Sequence, residues 1–475
     1  MPDAETDCKI HKRVNQYDMD VLKEWWSSSS KQEKTVQLIV ALLVFTYSAY
    51  INNASVSIAA GLAGAFILYD CYQKKSFSGF RMLRKNWIGL AIFLGALLLA
   101  SLLVGDKASV HMVFRYAYWT LPFLLAAYLG KLADIRYAAA VGALFSVAVT
   151  SSNVAYLNYL LLQGQELVGT RGPVVDGRLG AFLSNPNHYA MLLIGTLPLL
   201  LCFYMDKKLR TNPLLVFISI IVTVLGLWSL WKTDSRGAMI GLFAGGMLIF
   251  VLFCCFQKQR KLFLKGLAVG VAVVAVVLLT GIQGGGNRPY SNSARVRMWK
   301  ASYAMWQDHK LLGVGLENWQ KEYADKYILK DEIKKEVCQL YLNEKKMAEE
   351  RGAAEKKVDA KQEAEHIASW QNEVIKHEAD YTIPHNVIAW FFSTTGIIGG
   401  IGYLLFVAYY VRLFCSRMKE YSDEWMLYMG LWSFMAITIH GLVDAGITNK
   451  EAARLLFLIL GISLNLRYLK KGLSK

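Results

Sequence analysis

The feature that most restricts the fold of this chain is a series of long apolar stretches separated by shorter polar segments. Each stretch is about 17–25 residues long, the length that an α-helix needs to cross the hydrocarbon core of a bilayer, roughly 30 Å thick. The sequence therefore predicts an all-α polytopic integral membrane protein with about twelve transmembrane helices. The predicted spans are 36–51, 54–72, 87–104, 111–129, 137–162, 181–204, 213–231, 236–256, 262–282, 385–411, 425–446 and 451–467.

The net charge of +16 would suit a nucleic-acid-binding protein, but the basic residues are distributed as in a membrane protein. Lys and Arg are concentrated in alternate connecting segments, beginning with the N-terminal segment, and are sparse in the others. Because basic segments are retained in the cytoplasm, both termini are predicted to be cytoplasmic. The longest polar segment then faces outward. It has as many acidic as basic residues, whereas a surface that binds nucleic acid is strongly basic.

The predicted spans divide the chain into segments of different composition. These are a cytoplasmic N-terminal flank (1–35), transmembrane helices 1–9 (36–282), a large extracytoplasmic loop (283–384), transmembrane helices 10–12 (385–467) and a cytoplasmic tail (468–475). Cationic or titratable side chains lie at both ends of the loop. This arrangement predicts chemistry on an anionic, lipid-borne substrate at the outer membrane surface.

The loop itself is predicted to be mostly helical. Apolar residues at helical spacing predict a helix over 294–307, which ends at the Leu-Gly-Val-Gly run 312–315. The Glu-, Lys- and Gln-rich part, from Asn318 to Ala379, has opposite charges three or four residues apart, which favours solvent-exposed helices. Its composition is typical of a solvated helical cap with no chemistry of its own; a role in acceptor choice is the alternative.

His385 and Asn386 close the loop, directly after Pro384. On a helix that starts near this proline, the histidine falls in the first turn, at the outer interface. An imidazole there titrates near neutrality and can accept a proton from a hydroxyl group, and a helix N-terminus favours an anion. We therefore predict a catalytic role for His385 and a substrate-binding role for Asn386. The alternative is an interfacial histidine that only caps the helix.

Three arginines are candidates for binding phosphate. Arg236 opens a span in the run Thr-Asp-Ser-Arg-Gly, and a guanidinium group near the lipid boundary can bind phosphate oxygens in bidentate fashion. Arg295 and Arg297 lie on the predicted loop helix, beside Trp299. Two arginines from distant segments that converge on one point would suit a pyrophosphate. We predict catalytic roles for Arg236 and Arg295 and substrate binding for Arg297; the alternatives are an interfacial anchor and a basic surface helix.

Polar residues within or beside the spans form a second set of candidates, because ionisable groups in a membrane are expensive and are often functional. His440 and Asp444, four residues apart, are expected on one helix face. The Asn-Pro-Asn-His run 185–188 interrupts a span, and the freed backbone groups need a polar cavity. A buried structural hydrogen bond explains the histidine–aspartate pair equally well. The residues predicted to line a substrate path are Arg115, Asn185, Asn187, His440 and Asp444.

Metal ligands and cofactor motifs are not predicted. The pair Asp18 and Asp20 resembles the Asp-x-Asp motif that holds a metal and a nucleotide sugar in some transferases, but one such pair arises easily by chance. No two cysteines have the spacing of a zinc site with histidines nearby. The sequence therefore predicts neither a metal nor a cofactor.

Several of these motifs together resemble a known family. The outer Ser-Arg-Gly, the Arg-x3-Trp helix that runs into Leu-Leu-Gly-Val-Gly, and the closing His-Asn-x9-Gly resemble the O-antigen ligase and polymerase family of bacterial envelope glycosyltransferases, from about Phe182 to Gly402. The resemblance implies a metal-independent, inverting, type C-like transferase of the bacterial inner membrane. It implies that Arg236 and Arg295 hold the pyrophosphate of an undecaprenyl donor and that His385 acts on the acceptor hydroxyl.

The predicted function is thus ligase-like transfer of a glycan from undecaprenyl pyrophosphate to lipid A-core or another envelope acceptor. The implied partners are this donor, a lipid or glycan acceptor and membrane lipids, but not nucleic acid. A polymerase that extends the lipid-linked glycan is the first alternative, since Gly399 stands where ligases often have threonine. A polysaccharide or lipid transporter is the alternative of another class, although transporters usually place charges near the bilayer midplane.

Overall fold

The computed structural model of this chain is mainly α-helical. It describes residues 27, 29–77, 86–164, 174–175, 177–206, 209–259, 261, 264–266, 289–350, 359–444 and 446–465. The chain forms two compact units. The first unit comprises Met1–Ala91, Tyr116–Gly286 and Phe406–Lys475, and the second unit comprises Ile92–Arg115 and Asn287–Leu405.

The N-terminal half is built from helices joined by short connections and includes one two-stranded antiparallel hairpin. In chain order its elements are α1 (Lys31–Ala49), α2 (Asn53–Gln73), α3 (Ile88–Val104), α4 (Lys107–Trp119), α5 (Leu121–Leu132), α6 (Arg136–Leu162), β1 (Val174–Val175), β2 (Arg178–Leu179), α7 (Pro186–Thr196), a 3₁₀ helix (Leu197–Leu201), α8 (Cys202–Met205), a second 3₁₀ helix (Leu209–Thr211), α9 (Pro213–Lys232) and α10 (Arg236–Phe256).

The C-terminal half begins with the polar loop. Its elements are α11 (Pro289–Asp308), α12 (Trp319–Glu322), a π-helical turn (Tyr323–Tyr327), α13 (Lys330–Glu350), α14 (Ala360–Ala379), α15 (Val387–Glu420), α16 (Trp425–His440), a 3₁₀ turn (Gly446–Thr448) and α17 (Lys450–Leu464). The helix predicted over 294–307 is part of α11. The charged part of the loop is helical as predicted, and its ion pairs also join different helices, as between Lys345 and Glu363 (3.2 Å).

Six helices in the described part of the chain are long and apolar enough to cross a membrane, by length and composition. They are Asn53–Gln73, Arg136–Leu162, Pro186–Met205, Pro213–Lys232, Arg236–Phe256 and Val387–Glu420. A further apolar helix, Ile88–Val104, is shorter. All seven overlap predicted spans, and five of them agree with the predicted bounds to within one residue at each end. These helices are consistent with an all-α membrane protein.

Asparagine side chains cap the N-termini of several helices, among them α2, α9 and α17. The Oδ1 atoms of Asn52, Asn212 and Asn449 accept hydrogen bonds from backbone amides three residues farther on, at 2.8, 3.0 and 2.9 Å. Such caps satisfy amides that have no partner within the helix. They explain how α2, α9 and α17 can start after very short connections.

Glycines on one face of α10 allow close packing against α16. A Cβ atom at Gly241 would lie 2.6 Å from the carbonyl oxygen of Ala436, and one at Gly245 would lie 3.0 Å from the ring of Trp432. Helix packing in lipid depends on such close approaches, because small residues let the backbones come together. This packing fixes the end of α10 that carries Arg236.

The prediction of one continuous span over 111–129 is wrong. Helix α4 ends at Trp119, and a separate helix, α5, starts at Leu121 with Pro122 in its first turn. Proline has no amide hydrogen, so a continuous helix would lose a backbone hydrogen bond there. Neither of the two helices is long enough by itself to cross a bilayer.

Two other predicted spans are shorter than expected. The span predicted at 181–204 begins only at Pro186, because the residues before it form turns. The span predicted at 425–446 ends at His440, where Gly441 is the C-cap residue. Most of the predicted span 262–282 lies outside the described residues, as do the pair Asp18 and Asp20 and the tail 468–475.

Candidate functional site

In the second unit, helix α15 is interrupted at Gly396, whose backbone has φ 60° and ψ −158°. The segment after α11 supplies replacements for hydrogen bonds that the interruption removes. The amide of Val314 donates to the carbonyl of Ser393, and the amide of Gly315 donates to the carbonyl of Thr394, both at 2.9 Å. The two glycine-containing motifs of the sequence are therefore in direct backbone contact.

A third backbone hydrogen bond crosses the interruption, from the amide of Ile397 to the carbonyl of Lys310 (2.8 Å). The two backbone segments approach too closely for a side chain at either point of contact. A Cβ atom at Gly396 would lie 2.3 Å from the carbonyl group of Leu311, and one at Gly313 would lie 2.3 Å from the backbone of α15. Glycine is required at Gly313 and Gly396 for lack of space and because both residues have a positive φ.

His385 lies just outside α15, not in its first turn as predicted. The helix is capped by Asn386, whose Oδ1 accepts from the amides of Ile388 and Ala389 at 2.9 Å each. His385 is half-buried and has φ 49°, an uncommon left-handed conformation for a residue with a side chain. Strained backbone conformations such as this one occur often at active sites, where they can hold a side chain in the orientation that the reaction requires.

Tyr381 is an aromatic neighbour of the histidine, with 5.9 Å between the ring centroids in an edge-to-face arrangement. Burial raises the pKa of the Tyr381 hydroxyl, and the Glu378 carboxylate raises it further. The positive charges of Arg295 and Arg297 lower that pKa. Both guanidinium groups are therefore within electrostatic range of Tyr381. The structure brings Arg295 and His385 into one unit, together with a tyrosine, Tyr381, that sequence reasoning missed.

Arg297 occupies a different environment from Arg295. It is 3% exposed and forms ion pairs with Glu336 and Glu378, and the hydroxyl of Tyr323 also donates to Glu378 (3.2 Å). Burial opposes its charge, but hydrogen bonds to the two carboxylates outweigh this effect and raise the pKa of Arg297. The residue joins α11 to α13 and α14. Because two carboxylates already compensate the charge of Arg297, this residue has a structural role and needs no anionic substrate as a partner.

Arg115 lies on α4, also in the second unit. Its exposed guanidinium group is 3.4 Å from the Glu317 carboxylate, a surface ion pair. Nearby, the hydroxyl of Ser109 accepts the amide of Leu316 (2.8 Å) and donates to Asp106 (2.6 Å). These contacts connect the start of α4 to the turn that follows the Leu-Gly-Val-Gly run.

In the first unit, Arg236 is the first residue of α10 and is exposed. The preceding turn contains Asp234, with φ 47°, and Ser235. Ser235 stands at the N-cap position but makes no capping hydrogen bond; its Oγ lies 3.4 Å from Nε2 of His440 instead. The amides of the first turn of α10 therefore receive no side-chain cap from Ser235. A cation at a helix N-terminus makes a favourable position for an anion.

Arg178 joins this turn to the start of α7. Its Nε donates to the carbonyl of Thr233 at 2.7 Å, and its Nη2 donates to Oδ1 of Asn187. Asn185 caps α7 by accepting the amide of Asn187 (2.8 Å). The prediction that this run interrupts a helix is therefore wrong, because it begins one. Arg178 is a site-shaping residue that sequence reasoning missed, since no motif marks it.

His440 and Asp444 are both buried, at 1% and 3% exposure. They do not share a helix face, because α16 ends at His440 and the chain turns through Val443 before it reaches the aspartate. A Cβ atom at Gly237 would lie 3.2 Å from the His440 ring, so the histidine packs directly beside the Arg236 turn. The first unit thus gathers Arg236, Asn187 and His440 at one end of its helices.

An apolar groove of about 530 Å³ runs along α9 and α10 in the same unit. Its lining residues are Leu197, Pro198, Leu201, Thr223, Leu227, Leu230, Trp231, Met239, Leu242, Phe243, Gly246, Met247 and Trp432. It begins one helical turn below Arg236, at Met239, and follows α10 for about 12 Å at 1.5 Å per residue. The groove is therefore an apolar channel whose nearest lining residue on α10 is one helical turn from Arg236.

Part of the chain matches a known protein family. Residues 221–336 match the family model described as O-antigen ligase. The matched segment contains Arg236, Arg295 and Arg297 and ends before His385. A comparison with curated proteins gives no match.

Proposed function

We propose that this chain belongs to the O-antigen ligase and polymerase family, whose model matches residues 221–336, and that it transfers a glycan from undecaprenyl pyrophosphate to a hydroxyl group of an envelope acceptor. The family implies glycosyltransferase-type activity in a membrane. The observation that best supports the proposed donor is the apolar groove along α9 and α10, which begins at Met239, one helical turn from Arg236. A lipid diphosphate needs an apolar channel for its chain and a cation for its head group.

Arg236 and Arg295 are proposed to bind the pyrophosphate. In the reaction, the acceptor oxygen forms a bond to the anomeric carbon while the bond from that carbon to the pyrophosphate oxygen breaks. Negative charge develops on the departing pyrophosphate, and guanidinium groups can stabilise it through bidentate hydrogen bonds. One well-placed donor of this kind is worth roughly 3–4 kcal/mol in known active sites. Arg297 has no part in this proposal, because two carboxylates compensate its charge.

His385 is proposed to accept the proton of the attacking hydroxyl. An imidazole can serve as a general base, a contribution of about 10²–10⁴-fold. Three observations support the role: its strained backbone, its position before the N-terminus of α15 and its neighbour Tyr381. Attack from the side opposite the leaving group inverts the anomeric centre, as the resemblance implies.

The site is proposed to face outward in a bacterial inner membrane, with both termini cytoplasmic and about twelve spans in all. The positive-inside distribution of Lys and Arg supports this orientation. Lipid A-core, or another envelope glycan or lipid, is the proposed acceptor.

The test is an assay with purified protein, a defined undecaprenyl-pyrophosphate-linked glycan and a separate lipid A-core acceptor. A ligase transfers the glycan to the acceptor, whereas a polymerase extends the lipid-linked chain even without the acceptor. Added EDTA should leave the rate unchanged; inhibition that Mg²⁺ or Mn²⁺ reverses would contradict the metal-independent mechanism. Movement of intact donor across vesicles without a new glycosidic bond would indicate a transporter instead.

A double-mutant cycle tests whether the two arginines act on one group. If Arg236 and Arg295 both bind the pyrophosphate, the losses in Arg236→Lys and Arg295→Lys should not add in the double variant. The matched pair for comparison is Arg236→Lys with Arg417→Lys, for which we expect independent effects. Fully additive losses in the first pair would show that the arginines serve different groups.

A further inference from the structure

A second cavity, of about 380 Å³, lies entirely within the second unit, between α11 and the first two turns of α15. Its lining residues are Trp299, Ser302, Tyr303, Trp306, Asn386, Ile388, Ala389 and Phe392. Four of these eight are aromatic. We call this cavity the aromatic cleft. It is distinct from the apolar groove beside Arg236, which contains mostly aliphatic side chains.

The aromatic rings come from one face of α11 and one residue of α15. Trp299, Tyr303 and Trp306 are spaced four and three residues apart, so they lie along the same side of the helix. The Tyr303 and Trp306 rings are 5.7 Å apart and tilted by 53°, and Trp306 meets Phe392 edge-to-face, also at 5.7 Å. The rings are therefore held as the walls of a cleft and are not stacked closely on one another.

Two observations show that the cleft offers more than an apolar surface. The indole N–H of Trp299 donates to the Pro384 carbonyl (2.9 Å), which fixes this ring beside the segment that carries His385. The indole nitrogen of Trp306 is buried and has no hydrogen-bond partner within the described part of the chain. A buried donor without a partner costs free energy, which a ligand with an acceptor oxygen would recover.

The chemistry of the cleft fits a sugar ring. A pyranose has an apolar C–H face, which can lie against an aromatic ring, and a rim of hydroxyl groups, which need hydrogen-bond donors and acceptors. The cleft supplies rings for the face, and the indole N–H of Trp306 and the amide of Asn386 for the rim. An acyl chain would use the rings but would leave the buried indole donor without a partner.

We propose that the aromatic cleft binds a pyranose residue of the acceptor glycan, next to the hydroxyl group that reacts. The cleft includes Asn386, the residue directly after His385, so a sugar bound there is close to the proposed base. The assignment to the acceptor, and not to the donor, rests on the proposed function, in which His385 acts on the acceptor hydroxyl. The binding of a sugar does not depend on that function.

Tyr303 is the best position for a test, because its side chain is 60% exposed and its replacement should disturb folding least. Tyr303→Phe keeps the ring, whereas Tyr303→Leu keeps an apolar side chain without one. The matched control is Tyr156→Leu on α6, since Tyr156 is 59% exposed and lies in the first unit. Aromatic contacts contribute about 0.5–1.5 kcal/mol, which corresponds to roughly two- to tenfold in an equilibrium constant.

In the transfer assay we expect Tyr303→Leu to raise the KM for the acceptor by roughly two- to tenfold and to leave the KM for the donor and kcat at saturation unchanged. Tyr156→Leu should behave like the original protein, and Tyr303→Phe, which keeps the ring, should raise the acceptor KM less than Tyr303→Leu does. An unchanged acceptor KM in Tyr303→Leu would overturn the proposal. Equal changes in the Phe and Leu variants would also overturn it. A lower affinity for liposomes with no change in kinetics would overturn it as well, because the aromatic cleft would then serve to anchor the protein at the membrane surface.

A binding experiment without turnover separates this proposal from the proposed function. The probe is core oligosaccharide freed from its lipid, titrated against the intrinsic tryptophan fluorescence of the protein in detergent. We expect binding that persists in His385→Ala and weakens in Tyr303→Leu. Binding with this pattern but without any transfer would retain the cleft and overturn the function. Transfer activity together with unaltered oligosaccharide binding in Tyr303→Leu would support the proposed function and overturn the proposal that the aromatic cleft binds the sugar.

Discussion

The Arg236 turn and the His385 segment are held in place by different kinds of contact. The turn connects two consecutive helices, and its arrangement follows from glycine packing on α16 and from one arginine, Arg178. The His385 segment depends on partners far away in the chain, such as Trp299, which is 85 residues from its acceptor Pro384. Both sites therefore need partners that are distant in sequence, but the helix that packs on the Arg236 turn is apolar, whereas the helix that holds the His385 segment belongs to the polar loop.

The largest expected effect concerns the base. His385→Ala should reduce glycan transfer by about 10²–10⁴-fold, because the acceptor hydroxyl loses its proton acceptor. Thermal unfolding in detergent should stay nearly unchanged, since the side chain is only half-buried. The control is His366→Ala on α14, which belongs to a separate pocket with Tyr341. Normal turnover by His385→Ala would remove the histidine from the mechanism.

The next effect concerns the loop that holds the histidine. Gly396→Ala forces a Cβ atom against the Leu311 carbonyl in a backbone region that disfavours side chains, so we expect a loss of about 1–3 kcal/mol in stability. Gly64→Ala on α2 is the matched control, because no atom lies within 4 Å of its Cβ position. Melting temperatures in detergent measure both. Equal melting temperatures would mean that the interruption of α15 is not needed.

A smaller loss is expected at the helix hairpin. Arg236→Lys keeps the positive charge but cannot form the bidentate pair with phosphate, so transfer should fall by about tenfold, equivalent to 1.4 kcal/mol. Folding should be unaffected, because the side chain is exposed. Steady-state kinetics with the lipid-linked donor provide the measurement. Unchanged kinetics would show that the cation at this turn does not contact the substrate.

The smallest effect concerns the apolar groove. Leu227→Trp places a large ring in the groove, and we expect the KM for the lipid-linked donor to rise by roughly fivefold, or about 1 kcal/mol. Leu225→Trp is the control, because that leucine lies on the same helix but does not line the groove. We expect a higher KM for the lipid-linked donor in Leu227→Trp than in Leu225→Trp. Equal KM values would indicate that the groove holds only membrane lipid.

Much of the fold follows from patterns within single segments. Apolar runs of membrane-spanning length became helices, and the charged loop became helices joined by ion pairs. Helix ends were predicted less well, because they depend on single residues such as Pro122 and Gly441. The separation of His440 from Asp444 is a consequence, since spacing by four residues places side chains on one face only while the helix continues.

The site was predicted only in part, because its contacts join residues that are far apart in the sequence. His385 and Arg295 are close to a common tyrosine, as a shared role requires, and whether Arg236 acts with them stays a prediction. Neither the burial of Arg297 between two glutamates nor the hydrogen bonds of Arg178 was foreseen. Such partners lie far apart in sequence, and one sequence contains no pattern that pairs them.

The three backbone hydrogen bonds between 310–315 and α15 have a consequence for the rest of the loop. They join the beginning of the loop to the helix that follows it, independently of the charged helices in between. Beyond the Arg297 ion pairs, α13 and α14 run on as an outer hairpin that contributes no hydrogen bond to this junction among those the structure describes. The part of that hairpin between Glu336 and Glu378 could therefore change in length or surface without breaking the three hydrogen bonds that hold the loop against α15.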